Sequence, residues 1–385
     1  MAAERHVIIA GAGIGGLCAA IALRRRGFAV TVLEKQSEPR EVGAGLSLWV
    51  NATRALASLG LSELIEELSV PAADGGLFDH RGQLLTAMST RAFEQRFGGA
   101  TVVVHRPDFL HGLCARCDAS IRGAATVVEV QQTDSAVKAI LANGEEVQGD
   151  CLIGADGIGS VVRAAIGRNS QRRYAGCTAY RGVVRLEDAG LSLSDSFWGI
   201  YLAPGVQAGC TPMAQGRVYW FIGVNAAEGG PQGPGGHRDA VLDLLSPWPD
   251  TMQRLAAATP DSDILRNDLY DLPCVDNWSE GRVTLLGDAA HATTPNLGQG
   301  ACMAIEDAVV VARSLAEHDT HEAAFQAYEA ARLRRCNRVT RSSRFLGRVL
   351  QLENPLLIKL RNFAMRRGSE RSQMQRLAWL LEHQL

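Results

Sequence analysis

The sequence predicts an α/β fold: a parallel α/β unit interleaved with an antiparallel sheet and followed by C-terminal helices. Three observations predict it. A complete strand–turn–helix–strand unit lies between His6 and Glu34. Short apolar runs separated by Gly and Pro fill Thr178 to Val224, as in an antiparallel sheet. Helical spacing then runs from Tyr328 onward. The length of 385 residues exceeds what one hydrophobic core usually serves, so two interleaved domains are expected.

The first strand is the β-branched run His6 to Ala10, which suits a buried parallel strand. Gly11 to Gly16 form a turn, and Leu17 to Arg26 have helical spacing that Gly27 stops. Phe28 to Leu33 make the second strand. Further on, Thr126 to Val130, Ala136 to Leu141 and Glu146 to Val147 alternate around Ala142-Asn143-Gly144, a hairpin signal. Cys151 to Gly154 and Arg282 to Gly287 read as buried strands, Ala226 to His237 as an exposed loop, and Ala301 to Leu315 as a helix.

Bulk properties exclude several classes. Net charge is −2, from 39 basic and 41 acidic residues, which gives no global field for nucleic acid or anionic lipid. No run reaches the length and apolarity of a membrane span, and the amino terminus reads as a strand, not a signal peptide. The 9 cysteines are scattered among apolar runs, as expected of reduced thiols in a cytoplasmic protein. Cys114 and Cys117 form a CxxC, whose expected role is packing on one helix face. No His/Asp/Glu cluster has metal-ligand spacing, so no metal is expected.

Three motifs carry chemistry. Gly11-Ala12-Gly13-Ile14-Gly15-Gly16 is a GxGxxG at a strand-to-helix turn. Gly11 allows the tight turn, Gly13 lets backbone approach a pyrophosphate, and Gly16 brings helix and strand together. Glu34 closes the second strand, where a carboxylate accepts hydrogen bonds from adenosine ribose hydroxyls. That motif alone leaves FAD and NAD undivided. The second is Gly154-Ala155-Asp156-Gly157, which on its own is a turn. The third is Leu286-Gly287-Asp288, running on to Pro295-Asn296-Leu297-Gly298-Gln299-Gly300. Its glycines open a helix whose positive dipole end suits a reduced isoalloxazine.

In this order and spacing, the motifs resemble the FAD-dependent aromatic-ring monooxygenases related to p-hydroxybenzoate hydroxylase, a group that includes salicylate, 3-hydroxybenzoate and urate hydroxylases. The resemblance covers roughly residues 5 to 335. It implies a Rossmann-like FAD-binding domain interleaved with an antiparallel-sheet substrate domain. The expected division is 1–74, 101–170 and 275–330 for FAD, 75–100 and 171–274 for substrate, and 331–385 for a C-terminal helical segment. It implies FAD contacts at Gly11, Gly13, Gly16, Glu34, Lys35, Asp156, Gly157, Asp288, Pro295, Gly298, Gln299 and Gly300. Arg106, in His105-Arg106-Pro107-Asp108, matches the family's arginine before a helix; a solvated helix-start arginine is the other reading.

The resemblance also implies the cycle. NADH or NADPH reduces FAD, O2 adds as a C4a-hydroperoxide, and the distal oxygen attacks an electron-rich ring. No second GxGxxG appears, so the nicotinamide is expected to bind transiently. A WxWxIP motif is absent. Leu48, Trp49, Tyr201, Met213 and Phe221 are candidate pocket residues; Tyr219, His291 and Arg181 are candidate catalytic ones, each weighed against simple packing. Gly205 to Pro212 lacks the arginine, and Asn296 replaces the aspartate, that urate hydroxylases place there. A larger neutral or phenolic ring is therefore expected over urate.

The expected partner is a small aromatic substrate, with the protein a monomer or homodimer. Arg334, Arg335, Arg338, Arg341, Arg344 and Arg348 mark a basic amphipathic tail. A solvated helix packed on its own domain is the expectation, with a membrane-resting helix as the alternative. An FAD oxidase or dehydrogenase of an amine or alcohol is the competing enzyme, and a non-catalytic carrier the competing class.

Overall fold

The structure is a computed structural model that describes residues 5–38, 44–72, 74–168, 171–192, 198–230, 235–246, 248, 250–368 and 370–383. Its first layer is a six-stranded sheet in the order Ser279–Glu280, Val283–Leu285, Cys151–Gly154, His6–Ala10, Ala29–Leu33, Ser120–Arg122. All neighbours are parallel except the outermost pair. Val7 faces Cys151 on one side and Val30 on the other, so the opening strand is central, and it is apolar and buried from Val7 to Ala10.

The first helix is Ile14–Arg24, three residues earlier than the periodicity suggests, because the helix begins inside the glycine turn. Glycine there permits close approach. A β-carbon at Gly16 would stand 2.0 Å from Gly11 O, and one at Gly15 would stand 2.7 Å from Leu286 Cδ2. This helix packs beneath the buried helix Gly300–Glu317. It ends at Arg24 with Arg25 as its cap, two residues before the expected end, and Gly27, at φ +80°, closes the turn that follows. The hairpin forms a separate three-stranded sheet of Val127–Gln132, Val137–Leu141 and Glu146–Gly149.

The larger second sheet has seven strands, in the order Leu265–Asp271, Arg173–Arg185, Arg217–Asn225, Val206–Met213, Gly199–Ala203, Gly75–Asp79, Leu84–Met88. One junction departs from the antiparallel expectation. Gly199–Ala203 pairs with Gly75–Asp79 in parallel, because that strand arrives from an earlier part of the chain. Helices Gly236–Leu245 and Asp250–Ala258 cover one face, where Trp220, fully buried, donates to Thr259 Oγ1 at 2.9 Å. The loop expected at Ala226 to His237 falls partly outside the described residues, at 231–234. A small sheet of Gly45–Leu48, Val102–His105 and Ser69–Pro71 stands between the two layers.

The C-terminal helices are three: His321–Leu350, Pro355–Arg367 and Glu370–Leu381. Asn354 makes the break, its side chain accepting from Leu356 N and Leu357 N ahead of Pro355. The basic helix packs on its own domain as expected, with Arg334, Arg338, Arg341 and Arg348 exposed, while Arg335 and Arg344 are drawn into ion pairs. Arg335 is buried against Glu306, Arg344 pairs with Asp271 at 2.9 Å, and Arg338 lies 3.8 Å over Trp379. No described helix is long and apolar enough to cross a membrane. All nine cysteines are free, and Cys117 lies in the turn after the helix Arg106–Ala115, not on it.

Candidate functional site

A cavity of about 820 Å³ runs from the glycine turn to the face of the seven-stranded sheet. At its first end, Gly11 holds φ +105°, and a β-carbon there would press on Ala155 O at 2.4 Å. Gly13 faces open space, with nothing within 4 Å of a β-carbon. Glu34 is nearly buried. Its Oε2 accepts from Ala12 N at 2.8 Å and its Oε1 from Gln36 N at 3.0 Å. The carboxylate is thus fixed by backbone amides, and each oxygen keeps a lone pair. Lys35 lines the same end.

In the middle of the cavity, Asp156 Oδ2 accepts from Val161 N at 2.8 Å and Val162 N at 3.2 Å, anchoring a short helix. Burial pushes its pKa up, while Ser160 and those amides partly offset the rise. Gly157 takes φ +82° beside it. Asp288, exposed to the cavity, follows Gly287 at φ +61°. Gly298, Gly300 and Ala301 bring the amino-terminal end of an 18-residue helix to the wall, so its free amides and dipole face the space. Trp49 closes this part: a β-carbon at Gly298 would meet its Nε1 at 2.8 Å.

The far wall is the sheet. Tyr219 and Phe221 stack at 6.0 Å between ring centroids, with Arg181 and Gln207 beside them. Arg181 lies beside Tyr219 and donates from Nη2 to Asn267 Oδ1 at 2.5 Å. Burial pushes the Tyr219 phenol above its ordinary value, partly offset by Arg181 and Arg106. Tyr219 therefore holds its proton at neutral pH, and its O–H is a donor.

Most of the residues singled out from sequence meet on this cavity. Gly11, Gly13, Glu34, Lys35, Trp49, Arg106, Asp156, Gly157, Arg181, Tyr219, Phe221, Asp288, Pro295, Gly298 and Gly300 all line it. Six do not. Gly16 sits behind the turn, and Gln299 is fully buried, its side chain accepting from Asn51 Nδ2 at 3.0 Å. Leu48 is a core residue of the first layer. Tyr201 stacks on Phe78 at 5.0 Å among the second core's side chains, and Met213 is buried away from the wall. Strand alternation explains Tyr201, which points to the opposite face from its lining neighbour Ile200, whereas Met213 shares the face of Gln207 but sits at the end of its strand, paired with Arg217.

His291 is the sixth. It is buried behind the Gly-Asp helix, its Nε2 at 2.6 Å from Asp307 Oδ2. Burial pulls its pKa down, but the adjacent Cys336 sulfur and Asp307 carboxylate outweigh that and raise it. His291, Asp307 and Cys336 bring their ligand atoms within 4.8 Å of one another, a grouping that chain spacing hides. Arg332 occupies it, donating from Nε to Asp307 Oδ1 at 2.7 Å, so a cation already satisfies the carboxylate.

That cluster continues into residues the sequence reading missed. Arg332 and Arg335 pair with Glu306 at 2.6 and 2.8 Å, and Asn51 Nδ2 donates to Glu306 Oε1 at 2.7 Å. It fastens the start of the helix Val50–Ser58, just after Trp49, to the helix Gly300–Glu317. The available signal was Glu306-Asp307 inside an otherwise apolar helix, since buried acids need partners. Arg163 was also missed as a brace; it donates to Ile158 O at 2.7 Å and Ala289 O at 3.0 Å, joining the second and third motifs. Asp108 links the layers, accepting from Arg217 at 2.7 Å and pairing with His105 at 2.9 Å.

The wall fits FAD on its own chemistry. Trp49 Nε1, Asp156 Oδ1, Thr293 Oγ1 and Asn296 Nδ2 border the cavity, are buried and have no partner among the described residues. Buried polar atoms are normally paired, so these four call for a polar ligand. The glycine-lined end admits a pyrophosphate, and a helix terminus faces the middle.

A profile of the FAD binding domain family matches residues 4–343. The chain is 36% identical over 364 residues to the aurachin C monooxygenase/isomerase of Stigmatella aurantiaca, covering 94% of this chain and 93% of that one. It is 34% identical over 367 residues to the 3-hydroxybenzoate 6-hydroxylase of Polaromonas naphthalenivorans, covering 90% and 88%. The structure of Klebsiella pneumoniae HpxO complexed with FAD and uric acid superposes with a TM-score of 0.92 at 27% identity, covering 99% and 98%.

Proposed function

This chain belongs to the FAD binding domain family of aromatic monooxygenases, and from that premise we propose that it is a single-component, NAD(P)H-consuming hydroxylase of an electron-rich aromatic ring. The observation that carries the reading is the single cavity. One end has the glycine turn and Glu34, the other the Tyr219–Phe221 wall with Arg181. FAD, when bound, supplies the redox chemistry, taking a hydride from NADH or NADPH and passing one atom of O2 to the ring.

The chain's own residues do the rest. Glu34 and Lys35 hold the adenosine end, and Gly11, Gly13, Asp156, Gly157 and Arg106 the pyrophosphate and ribityl region. Asp288, Pro295, Gly298 and Gly300 form the edge where the helix amides stabilise negative charge. Tyr219 Oη donates a hydrogen bond to a phenolic or carbonyl oxygen on the substrate, and Arg181 supports that hydroxyl. Its raised pKa makes Tyr219 an orienting donor, not the proton acceptor. Phe221 and Tyr219 exclude water and face the ring.

The names of the relatives span several ring systems, so substrate choice rests on the wall. Gly205–Pro212 carries no arginine and Asn296 no charge, which disfavours a urate anion. Arg181 remains, and it favours a substrate with an acidic phenol or a ring carbonyl. The domain division 1–74, 101–170 and 275–330 for FAD, with 75–100 and 171–274 for substrate, follows the two layers. Nine free cysteines fit a cytoplasmic setting.

The test is coupling. FAD-loaded protein is given NADH or NADPH with phenols, anilines and quinolones, and oxygen uptake is compared with H2O2 release. A compound that raises oxygen uptake without matching peroxide supports the reading. Peroxide equal to oxygen consumed for every compound argues for an oxidase.

A further inference from the structure

The helix Pro355–Arg367 packs along the edge strand Leu84–Met88. It is held firmly. Thr86 Oγ1 donates to Met365 O at 3.1 Å, Arg366 reaches Gln83 at 2.8 Å, and Arg361 donates to Leu350 O at 2.7 Å. Those contacts fix which face points away. On it, Leu356 is 74% exposed, Leu360 63% and Phe363 53%, and their spacing makes one stripe. Exposed Lys359 and Arg367 flank the stripe, with Arg367 lying 4.4 Å over the Phe363 ring. The preceding helix repeats the pattern in exposed Arg341, Phe345 and Arg348. Glu353 is the sole acidic residue between Glu329 and Glu370.

Large apolar side chains gathered this way mark an interaction surface. We propose that this face docks on an anionic lipid surface. Leu356, Leu360 and Phe363 enter the acyl boundary, while Lys359, Arg367 and Arg348 meet the headgroup phosphates. Charge selects this occupant over a second copy of the chain. Two such faces brought together would oppose Lys359 and Arg367 with their own counterparts, and the helix offers no carboxylate to separate them. On its inner side Met365 packs with Leu346, Leu350 and Ile200, and the last two line the cavity. The docked helix thus lies one layer of side chains from the sheet wall, whose reading as the substrate side rests on the proposed function; lipid binding itself does not.

Sedimentation of the FAD-loaded protein with vesicles tests this. Phosphatidylcholine vesicles containing phosphatidylserine are expected to pellet the protein, and phosphatidylcholine alone to pellet far less. The Leu360→Glu/Phe363→Glu variant is expected to lose about 10-fold or more in apparent affinity, and added salt to weaken binding, with the flavin spectrum unchanged. Failure to pellet with phosphatidylserine vesicles overturns the proposal. So does a dimer in solution that Leu360→Glu dissociates, since a second copy then covers the face. Neither result depends on turnover, so a failed hydroxylase assay leaves it intact.

Discussion

The Tyr219 ring lies against Gly45: a β-carbon at position 45 would stand 2.3 Å from Tyr219 Cγ. Gly45 opens a strand of the small sheet that includes Val102–His105, and Tyr219 belongs to the seven-stranded sheet. The two walls of the cavity therefore touch at this point, and the position of Tyr219 depends on the absence of a side chain opposite.

Gly45→Ala is expected to displace the Tyr219 ring while leaving the adenosine end untouched. We expect FAD to remain bound and kcat/KM for the aromatic substrate to fall about 10-fold or more through misplacement of the ring. Flavin content and steady-state kinetics on the same preparation check this.

Tyr219→Phe retains the stacking on Phe221 and the contact with Gly45, and removes only the hydroxyl that Arg181 supports. Loss of one oriented hydrogen bond predicts a fall of about 10- to 100-fold in product formation, with more reducing equivalents lost as H2O2. Product and peroxide measured together give the ratio.

Glu34→Ala removes the acceptor of two backbone N–H groups, Ala12 N and Gln36 N, as well as the proposed ribose contact. The FAD dissociation constant is expected to rise about 10- to 100-fold, as for a lost hydrogen bond to a charged group. Fluorescence titration of the apoprotein measures it.

The dinucleotide end was legible because its signal is local. His6–Ala10, the glycine turn and Glu34 lie within one βαβ unit, and close packing demands glycine at Gly11, Gly15 and Gly16. The sheet wall was half legible. Alternation along a strand predicts that Tyr219 and Phe221 share a face, but not that Tyr201 points the other way or that Met213, at the end of its strand, lies off the cavity. His291 was misread because its partner, Asp307, is a helix away, and nothing near His291 in sequence announces it. The Asn51–Glu306 contact spans 255 positions, and only the fold brings those residues together.

Asp307 gives a pH prediction. Burial pushes its carboxyl up, yet His291 and Arg332 outweigh that and hold it at about 2, against 3.8 when unfolded. A depressed pKa contributes stability that is complete above the unfolded value and is lost as pH falls toward the folded one. That contribution is about 2 kcal/mol. Asp307→Asn should destabilise the protein most at neutral pH, with the gap to wild type narrowing below pH 4 and nearly closing near pH 2. Denaturant melts across that range test it.

On the proposed function a pyridine nucleotide, and not the organic substrate, reduces the flavin. Anaerobic mixing of the FAD-loaded protein with NADH or NADPH, with and without a phenolic ligand, distinguishes the two. Bleaching of the visible flavin band by one of the two nucleotides is expected, accelerated when a ring occupies the Tyr219 wall. Bleaching by an amine or alcohol alone, with neither nucleotide effective under any condition, would contradict the proposed function.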